Sequence, residues 1–444
     1  MSGTYWIETL GCPKNQVDSD KLVGTLLADG MVQARSAGQA DLVVVNTCAF
    51  IEAAREESVN VVLGLADGRK DGSRIVVTGC MAERYGDELA AALPEVDAVV
   101  GFGVPVLLGA KPVAVPQIAG VPIALGRKSA LERKPVAAAE RAIPSLDLLN
   151  LPRPPSSSPW AYVKIAEGCD RNCGFCAIPS FRGPQRSRAV ASILDEVDAL
   201  GAKEIVLVAQ DLASYGKDRP GELGAGSIVG LVDAVAARVA RTRLLYLYPS
   251  DLSDALIDAI LKTGVAYFDL SLQHVSKPLL RRMRRWGDGD RFLRRIEAIR
   301  GVEPAAAFRS NFIVGYPGET EADQDQLLAF VEAAQLDWCG FFAYSAEEGT
   351  YAYGMDGVVD AHLAGERLAE LTELQDSITA KRRSNLIGEV IEVLVDAPGE
   401  GRSHREAPEI DGVVQLPEDL AVGSFQTVRV TAAEGPDLIA ELVR

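Results

Sequence analysis

The sequence lacks the features that mark membrane and secreted proteins. It contains no run of about eighteen apolar residues free of charge, which excludes an ordinary membrane-spanning helix. Residues 1–6 have no basic region that leads into an apolar stretch, so we expect a cytoplasmic protein. The seven cysteines form an odd set, and disulfides are a poor interpretation in a reducing compartment. The cysteines are therefore predicted to be metal ligands, catalytic groups or buried apolar residues.

Basic residues are scarce relative to acidic ones. The formal net charge is -17 over 444 residues, a length that favours two or three domains. A strongly acidic surface repels phosphate backbones and attracts basic groups. The charge therefore favours a basic protein as partner and disfavours nucleic acid as the principal partner. The alternative is that the negative charge only aids solubility, which is at least as common among acidic proteins as a role in binding a basic partner.

Three cysteines are concentrated in residues 169–176, a segment that we call the claw. Cys169, Cys173 and Cys176 share a loop with a glycine, so their sulfurs can turn toward one centre, and thiolates are the usual ligands of iron-sulfur clusters. Three ligands for a cube of four irons leave one iron open to bind a substrate or cofactor. A zinc site normally has four N or S ligands, and no second cysteine pair or nearby His follows here. The spacing therefore predicts an iron-sulfur site.

Three segments near the amino terminus share one pattern, an apolar strand-like run that ends in cysteine and leads into a helical pattern. The runs are 5–12, 41–48 and 74–80, and the helical patterns are 17–28, 52–65 and 82–93. Strand and helix in alternation predict a parallel sheet, whose ligands sit beyond the carboxyl ends of the strands. We therefore expect Cys12, Cys48 and Cys80 to converge and to hold a second cluster. The alternative is that each is a buried strand-end residue.

The middle of the chain repeats the alternation of strands and helices. Residues 103–144 are predicted to form short strands or irregular connections, and the proline-rich residues 151–159 mark an extended linker. Beyond the claw, strand-like runs at 204–209, 244–248, 267–272, 308–314 and 338–344 alternate with helical patterns, and a long helix is predicted at 361–384. Such repeats predict an open or partial barrel with its site at the strand carboxyl ends.

The last segment changes character from about Asn385. Short β-rich runs at 389–395, 411–416 and 425–430 predict a small all-β barrel. It carries twelve acidic and four basic residues, a net of -8, the opposite sign to that of a nucleic-acid-binding barrel. Two basic runs, 281–285 and 381–383, are interpreted as solvated helix faces, with phosphate contact as the alternative. Cys339, in an apolar strand, is predicted to be a core residue.

These segments combine into one prediction of fold class, α/β with three domains. They are an amino-terminal parallel α/β domain at 1–145, a central partial (β/α) TIM-like barrel at 146–378 and a small carboxyl-terminal all-β barrel at 379–444.

The motifs together resemble the radical S-adenosylmethionine (SAM) methylthiotransferases over nearly the whole chain. The matches are the claw, the three spaced amino-terminal cysteines, residues 269–274 and 315–320, and a terminal barrel like the TRAM domain. Residues 9–19 and 401–412 resemble the ribosomal-protein branch (RimO), whereas the tRNA branch (MiaB) typically has Gln-Met in place of Pro13 and Lys14. Asn311 departs from the Gly-x-Ile-x-Gly pattern of the family, so no role is carried over to it.

The resemblance implies the cofactors and the site. Two [4Fe-4S] clusters and SAM are expected, one cluster on the catalytic cysteines of the claw and the other on Cys12, Cys48 and Cys80. The open iron of the claw cluster would bind SAM, whose cleavage gives a radical. Phe175, Gln210, Gln273 and Gly315 are expected to line the cofactor cavity, and the alternative is that they only satisfy strand-end backbone groups.

The resemblance also implies the substrate and the partners. The expected reaction adds a methylthio group to the β-carbon of an aspartate in the twelfth small-subunit ribosomal protein, either free or within the ribosomal subunit. A reductant protein such as a flavodoxin is an expected partner, and the chain is expected to be a monomer. Two alternatives stay open, a tRNA methylthiotransferase and a non-catalytic iron-sulfur carrier.

Overall fold

The chain folds into two compact units in a computed structural model, which describes residues 3–106, 146–219 and 227–443. One unit comprises Met1–Ala49 and Ala53–Arg153, and the other comprises Phe50–Glu52 and Pro154–Arg444. Residues 107–144 of the region predicted to be irregular lie outside the described residues. Within the described ranges, no helix has the length and apolar character needed to cross a membrane.

A parallel sheet with flanking helices forms the first unit, as the repeated pattern predicts. Its strands pair in the order β2-β1-β3-β4-β5, and the middle strand β3 is buried at every residue. Burial on both faces is expected of a central parallel strand. The elements are β1 (Thr4–Thr9), α1 (Pro13–Ala28), β2 (Val32–Gln33), β3 (Leu42–Thr47), α2 (Glu52–Asp67), β4 (Arg74–Gly79), α3 (Cys80–Ala92) and β5 (Ala98–Val99).

Two details of this sheet differ from the sequence prediction. Helix α1 begins at Pro13, four residues before the predicted start, because proline fits the first position of a helix, where its missing N–H needs no partner. The two-residue edge strands β2 and β5 were not predicted, because two residues are too short to show a strand period.

The core of the second unit is a partial barrel of parallel strands. Two three-stranded sheets, β10-β9-β6 and β11-β12-β13, are joined by a parallel bridge between Leu247 and Leu270. The barrel strands are β6 (Trp160–Lys164), β9 (Glu204–Val208), β10 (Arg241–Leu244), β11 (Tyr267–Gln273), β12 (Ala307–Val314) and β13 (Trp338–Ala343), while β7 (Ala166–Glu167) and β8 (Arg186–Ser187) form a separate antiparallel pair. The helices are α4 (Ile178–Phe181), α5 (Val190–Leu200), α6 (Ile228–Ala236), α7 (Asp254–Leu261), α8 (Lys277–Arg282), α9 (Gly289–Val302), α10 (Glu321–Ala334) and α11 (Ala361–Ser384).

The position predicted for one barrel strand was wrong. The apolar run 244–248 was predicted to be a strand, whereas β10 covers Arg241–Leu244. Arg243 is fully buried in it because its Nε pairs with the carboxylate of Glu204 at 2.7 Å. Apolar periodicity alone places a charged residue such as Arg243 at the surface. The strand was therefore predicted over the apolar residues that follow Arg243.

The carboxyl-terminal region forms a closed all-β barrel, as predicted. Its strands are β14 (Val390–Ala397), β15 (Glu400–Arg402), β16 (Val414–Gln415), β17 (Phe425–Glu434) and β18 (Asp437–Leu442), which close in the order β14-β15-β16-β18-β17. Within the described part of this barrel, two of its basic side chains, Arg402 and Arg405, are only 3% and 12% exposed, whereas eight acidic residues are exposed. The surface is therefore more acidic than the composition of the barrel indicates.

Residues 402–411 pack against the amino ends of the central strands. The Tyr162 hydroxyl donates to Pro408 O at 2.8 Å, and the Trp338 indole donates to Arg405 O at 2.7 Å. At the start of β11, the Tyr267 hydroxyl donates to the Asp411 carboxylate at 2.6 Å. The small barrel thus occupies the amino end of the central barrel and leaves the carboxyl end for the site.

The two basic runs are solvated helix faces only in part, because Arg281, Arg284 and Lys381 are exposed whereas other arginines of both runs are paired within the fold. Arg382 binds Asp337 through two nitrogens at 2.9 and 2.8 Å, and Arg383 forms a buried ion pair with Glu406. In the other run, Arg282 donates to Pro317 O at 2.7 Å. Arginines of both runs therefore join elements of the second unit.

Candidate functional site

The claw begins at the carboxyl end of the first barrel strand. Strand β6 leads into β7, and Gly168 follows with φ of +75°. A Cβ at Gly168 would lie 2.2 Å from Pro184 O, so only glycine fits this turn. The turn lets Cys169 N donate to Gly183 O at 3.1 Å, which fixes the first cysteine at the strand end.

Gly174 holds the middle of the claw against the barrel. Its N–H donates to Met283 O and its carbonyl accepts from Ala352 N, both at 2.8 Å. A Cβ at Gly174 would lie 2.7 Å from the Tyr316 hydroxyl and 3.3 Å from the Tyr351 ring. The claw therefore passes through a gap that admits no side chain at this residue.

Arg171 of the claw and Arg285 from outside it pack against the same tyrosine ring. The guanidinium groups of Arg171 and Arg285 lie 3.9 and 4.1 Å from the centre of the Tyr248 ring. Arg285 Nη1 also donates to the Cys173 sulfur at 3.3 Å, and Arg171 Nε pairs with the Asp211 carboxylate at 2.5 Å. The two guanidinium groups therefore place positive charge beside the claw sulfurs, and thiolates are the form of cysteine that binds metal.

Burial works against the thiolate form. It raises the pKa of Cys169 to about 11 and that of Cys176 to about 12. Coordination by iron would offset this cost, since metal binding removes the thiol proton. These thiols therefore suit bound metal better than free thiolate chemistry.

Glu167 is the centre of a buried charge cluster just before the claw. Its carboxylate accepts from Lys164 at 2.7 Å, from Arg182 at 3.1 Å and from the Gln210 amide at 2.7 Å. Burial alone would raise the pKa of Glu167, but the charges of Arg182 and Lys164 hold it at about 2. Gln210, at the end of β9, keeps its Oε1 buried without a hydrogen-bond partner among the described residues. The strand end therefore offers one buried acceptor.

The other residues predicted to line the cavity have different surroundings. Gly315, with φ of +77°, donates its N–H to Glu319 Oε2 at 2.7 Å, and a Cβ there would lie 2.9 Å from Ala364 Cβ. Gly315 is thus explained by the backbone and by packing against α11. Phe175 packs on the barrel core, and Gln273 ends β11 with φ of +71°. Contact of these residues with a cofactor stays a prediction.

The three amino-terminal cysteines lie at neighbouring strand ends. Cys12 precedes α1, Cys48 follows β3, and Cys80 is the first residue of α3. In the sheet, Thr9 of β1 is level with Asn46 of β3, and β3 pairs with β4 along its whole length. Cys12 and Cys80 thereby sit at helix amino termini, where the helix dipole favours negative charge such as that of a thiolate.

Asn15 ties these strand ends together. Its N–H donates to Cys12 O at 2.8 Å, and its side-chain amide donates to Leu10 O and Thr47 O at 2.8 and 3.2 Å. The Cys80 thiol donates to Asn15 Oδ1 at 3.6 Å. Asn15 is fully buried and therefore fixes the place where the three cysteine-bearing segments meet.

Gly11 provides the remaining link between these segments. Its φ is +94°, and a Cβ at this position would lie 2.8 Å from Cys48 Cβ and 3.0 Å from the Cys48 sulfur. The turn before Cys12 therefore lies directly against Cys48.

Sequence reasoning missed the residues that support the cysteines. The roles of Asn15, Arg171, Tyr248, Glu167 and Arg285 at the cysteines were not predicted. A signal existed for Glu167, which immediately precedes the glycine and first cysteine of the claw, and for Asn15, which lies in the first turn after Cys12. Tyr248 and Arg285 are distant from the claw in sequence, so their roles depend on the fold.

The spacing of the cysteines differs from that of ligands around one ion. Among the described residues, no three His, Cys, Asp or Glu side chains are grouped so that they could hold a metal ion. In a cube of four irons each thiolate binds a different iron, which separates the sulfurs more widely than a single ion does. The assignment of either cysteine group to a cluster stays a prediction.

Three family profiles match the chain in consecutive segments. Residues 4–101 match the uncharacterized protein family UPF0004, residues 163–331 match the radical SAM superfamily, and residues 387–443 match the TRAM domain. The first segment contains Cys12, Cys48 and Cys80, and the second contains the claw.

Near full-length relatives share one name, ribosomal protein uS12 methylthiotransferase RimO. The protein of that name from Kineococcus radiotolerans is 42% identical over 98% of this chain and 96% of its own length. The one from Streptomyces griseus is 40% identical over 99% of this chain and 97% of its own, and the one from Nocardioides sp. is 41% identical over 97% and 95%.

Solved structures show a more remote likeness. The radical SAM methyltransferase TsrM from Kitasatospora setae, with cobalamin and a [4Fe-4S] cluster bound, superposes with a TM-score of 0.49 and 14% identity over 95% of this chain and 84% of its own. The cobalamin-dependent radical enzyme OxsB has a TM-score of 0.45 and 12% identity over 85% of this chain and 56% of its own. Likeness at this level carries no functional assignment.

Proposed function

Because the chain belongs to the RimO family of ribosomal protein uS12 methylthiotransferases, we propose that it adds a methylthio group to ribosomal protein uS12. The acceptor in this proposal is the β-carbon of an aspartate. The observation that carries the proposal is identity of 40 to 42% with proteins of that name over 97 to 99% of the chain. The arrangement of the cysteines supports the chemistry that the name requires.

The claw residues would hold a [4Fe-4S] cluster through Cys169, Cys173 and Cys176. Their surroundings fit such a group, because Arg285 reaches the Cys173 sulfur and the backbone of Gly174 is hydrogen-bonded to Met283 and Ala352. When bound there with SAM, the cluster supplies radical chemistry that can attack an unactivated C–H bond. The protein groups position these parts and keep water away from them.

Gln210 is the side chain best placed to orient the cofactor. Its amide nitrogen is held by Glu167, so the side chain cannot turn freely, and its buried Oε1 accepts no hydrogen bond from the described residues. A buried acceptor without a donor is costly unless a ligand supplies one. We therefore assign Gln210 the acceptance of an N–H group of SAM, with Phe175, Gln273 and Gly315 as further lining residues.

The amino-terminal cysteines would hold a second [4Fe-4S] cluster. Support comes from their meeting around Asn15 at the carboxyl edge of a parallel sheet, the usual place for a ligand in such folds. Three thiols again leave one iron open, and this cluster would present sulfur to the substrate. The two groups would then divide the reaction into SAM cleavage and sulfur transfer.

The acidic small barrel suits a basic substrate protein. Within the described part of this barrel, its exposed acidic residues outnumber its exposed basic residue, Arg429, eight to one. Such a surface raises the local concentration of a basic partner and disfavours RNA. Action in the cytoplasm, as a monomer and with a protein reductant, completes the proposal.

Anaerobic turnover with two candidate substrates tests the proposal. The cluster-reconstituted protein is incubated with SAM, dithionite and either purified uS12 or bulk tRNA, and both are analysed by mass spectrometry. We expect a methylthio group on one aspartate of uS12 and none on tRNA. Modified tRNA with unmodified uS12 would contradict the proposal, and so would absence of 5'-deoxyadenosine, which a non-catalytic carrier does not form.

A further inference from the structure

A basic surface segment contacts the claw of this acidic protein. Residues 277–298, which form α8, the turn after it and most of α9, contain eight basic and three acidic residues, a net of +5. Asp254 and Asp356 pair with Arg295 and Arg282 from outside the segment and reduce the sum to +3. The whole chain carries -17, so this surface has the opposite sign to the molecule.

The same segment is in contact with the claw. Met283 O accepts from Gly174 N at 2.8 Å, and Arg285 Nη1 donates to the Cys173 sulfur at 3.3 Å. Arg284, with φ of +54°, stacks on the Tyr351 ring at 3.5 Å. One side of the turn after α8 therefore contacts the claw. Arg281 at the end of α8 and Arg284 and Trp286 in the turn are exposed.

An apolar cleft adjoins the exposed basic residues. It has a volume of about 470 Å³, and Leu270, Leu272 and Phe292 line it together with Trp286. Trp286 is 43% exposed, and Arg291 stacks on its ring at 5.6 Å. Arg291, Arg294 and Arg295 are also lining residues of the cleft. An exposed aromatic residue with arginines around an apolar cleft is typical of a protein-binding surface.

From this combination we infer that residues 281–295 form the docking surface for an acidic one-electron donor protein, a small flavoprotein of the flavodoxin kind. The inference rests on the proposed function, because the claw must receive an electron before SAM is cleaved. One electron leaves the reduced donor, which is oxidised by one electron, and enters the group held by the claw. Electron transfer slows steeply with distance, so the surface that touches Cys173 is the favourable one.

Charge selects the partner. An acidic donor is repelled by a molecule of net charge -17 except where the local charge is positive, and oppositely charged patches steer association and fix orientation. The phosphate backbone of ribosomal RNA is the competing occupant. The apolar cleft and the contact with Cys173 favour the donor, because phosphate contacts need neither.

Charge reversal tests the surface. In the variant R281E/R291E/R294E three exposed arginines become acidic, and none of them contacts a claw cysteine in the structure. Binding of oxidised flavodoxin is measured by calorimetry at low and high salt. We expect the variant to bind at least about tenfold more weakly at low salt and the difference to shrink at high salt. Equal affinity of variant and wild type would overturn the inference.

Turnover separates this inference from the proposed function. With dithionite, 5'-deoxyadenosine formation should be the same in the variant and the wild type, whereas with reduced flavodoxin the variant should be about tenfold slower. If 5'-deoxyadenosine formation by the variant fell equally with dithionite and with flavodoxin, the three arginines would act in the site around the claw and the inference would be overturned. No product from the wild type with dithionite would instead defeat the proposed function, and the binding measurement would still decide the surface.

A matched variant and a competing ligand complete the test. K203E/K381E/R429E changes the same total charge at exposed residues outside the basic segment and should keep wild-type affinity for flavodoxin. The glutamine variant R281Q/R291Q/R294Q should fall between wild type and charge reversal. A loss of binding to ribosomal subunits in the reversal variant, with flavodoxin binding unchanged, would assign the surface to RNA and overturn the inference.

Discussion

The two cysteine groups of the molecule are built in opposite ways. The claw takes its thiols from eight consecutive residues, whereas Cys12, Cys48 and Cys80 come from three strand ends of one sheet. Charged side chains such as Glu167 surround the claw. Amides and hydroxyls make most of the contacts around the amino-terminal group, where the Ser58 hydroxyl accepts from Cys48 N at 3.2 Å, and one cation, Arg84, donates to Ala49 O at 3.1 Å.

The difference shows which forces hold each site. Local chain geometry and buried ion pairs position the claw, and removal of one member leaves an uncompensated charge. Strand pairing and amide hydrogen bonds position the amino-terminal group, so its geometry depends on the whole sheet. Substitutions should therefore damage one site without the other.

Replacement of Glu167 by alanine should have the largest effect on stability. It leaves the fully buried Lys164 and the nearly buried Arg182 without their carboxylate, and such a loss costs about 3 to 5 kcal/mol. Denaturant unfolding of the apo protein measures it. E297A, at an exposed position of α9, is the control and should change stability by less than about 0.5 kcal/mol. A small effect of E167A would mean that the charge cluster does not support the claw.

Replacement of Asn15 by alanine should disrupt the arrangement of Cys12, Cys48 and Cys80. The variant loses the donors to Leu10 O and Thr47 O and the acceptor for the Cys80 thiol, and the expected cost in stability is about 1 to 3 kcal/mol. If each cysteine group holds one cluster as proposed, iron bound per chain after reconstitution should fall by about half. Q16A is the neighbouring control, and full iron content in N15A would contradict the role of Asn15.

Two glycine substitutions form a matched pair. A Cβ at Gly174 meets the Tyr316 hydroxyl and one at Gly11 meets Cys48, so each alanine overpacks one site at a cost of about 1 to 3 kcal/mol. G174A should lower the rate of SAM cleavage, and G11A should spare it while lowering methylthio transfer. Equal effects of the two variants on SAM cleavage would show that the sites are not separable.

Acid should loosen the claw before the amino-terminal group. The pKa of Glu167 is about 2 in the folded chain and about 4.3 in an unfolded one. A lowered pKa contributes stability above the unfolded value, and this contribution is lost as the pH falls toward about 2.

Hydrogen exchange of the apo protein, corrected for the intrinsic rates, measures this difference. Protection near the claw should fall between about pH 5 and about pH 3 in the wild type and change less in E167Q. The amide and hydroxyl groups around Asn15 do not titrate in this range. Equal loss of protection in the two regions would contradict the contrast.

The extent to which the sequence predicts each site follows from the same contrast. The spacing of Cys169, Cys173 and Cys176 is local and identifies the claw without a structure. The amino-terminal group could be predicted only through the repeated strand pattern, which was correct because β1, β3 and β4 are regular and adjacent. The residues that hold these cysteines in place were missed, because Asn15 and Glu167 are polar residues of the kind usually found at the surface, although Asn15 is fully buried and Glu167 is only partly exposed.

The sequence predictions failed where contacts between distant residues bury charged side chains. Arg241 and Arg243 lie in a buried strand because Glu204 and the small barrel supply their partners, so the strand was placed too late in the sequence. The run 281–285 was interpreted as a solvated face, although Arg285 reaches Cys173. No local pattern carries these contacts, since their partners are far away in sequence.

Anaerobic turnover of C173A and C48A tests the separation of the two sites most directly. Each variant is reconstituted, supplied with SAM, dithionite and uS12, and assayed for 5'-deoxyadenosine and for methylthiolated uS12. We expect neither product from C173A, and 5'-deoxyadenosine without methylthiolated uS12 from C48A. Undiminished 5'-deoxyadenosine from C173A, or methylthiolated uS12 from C48A, would contradict this separation.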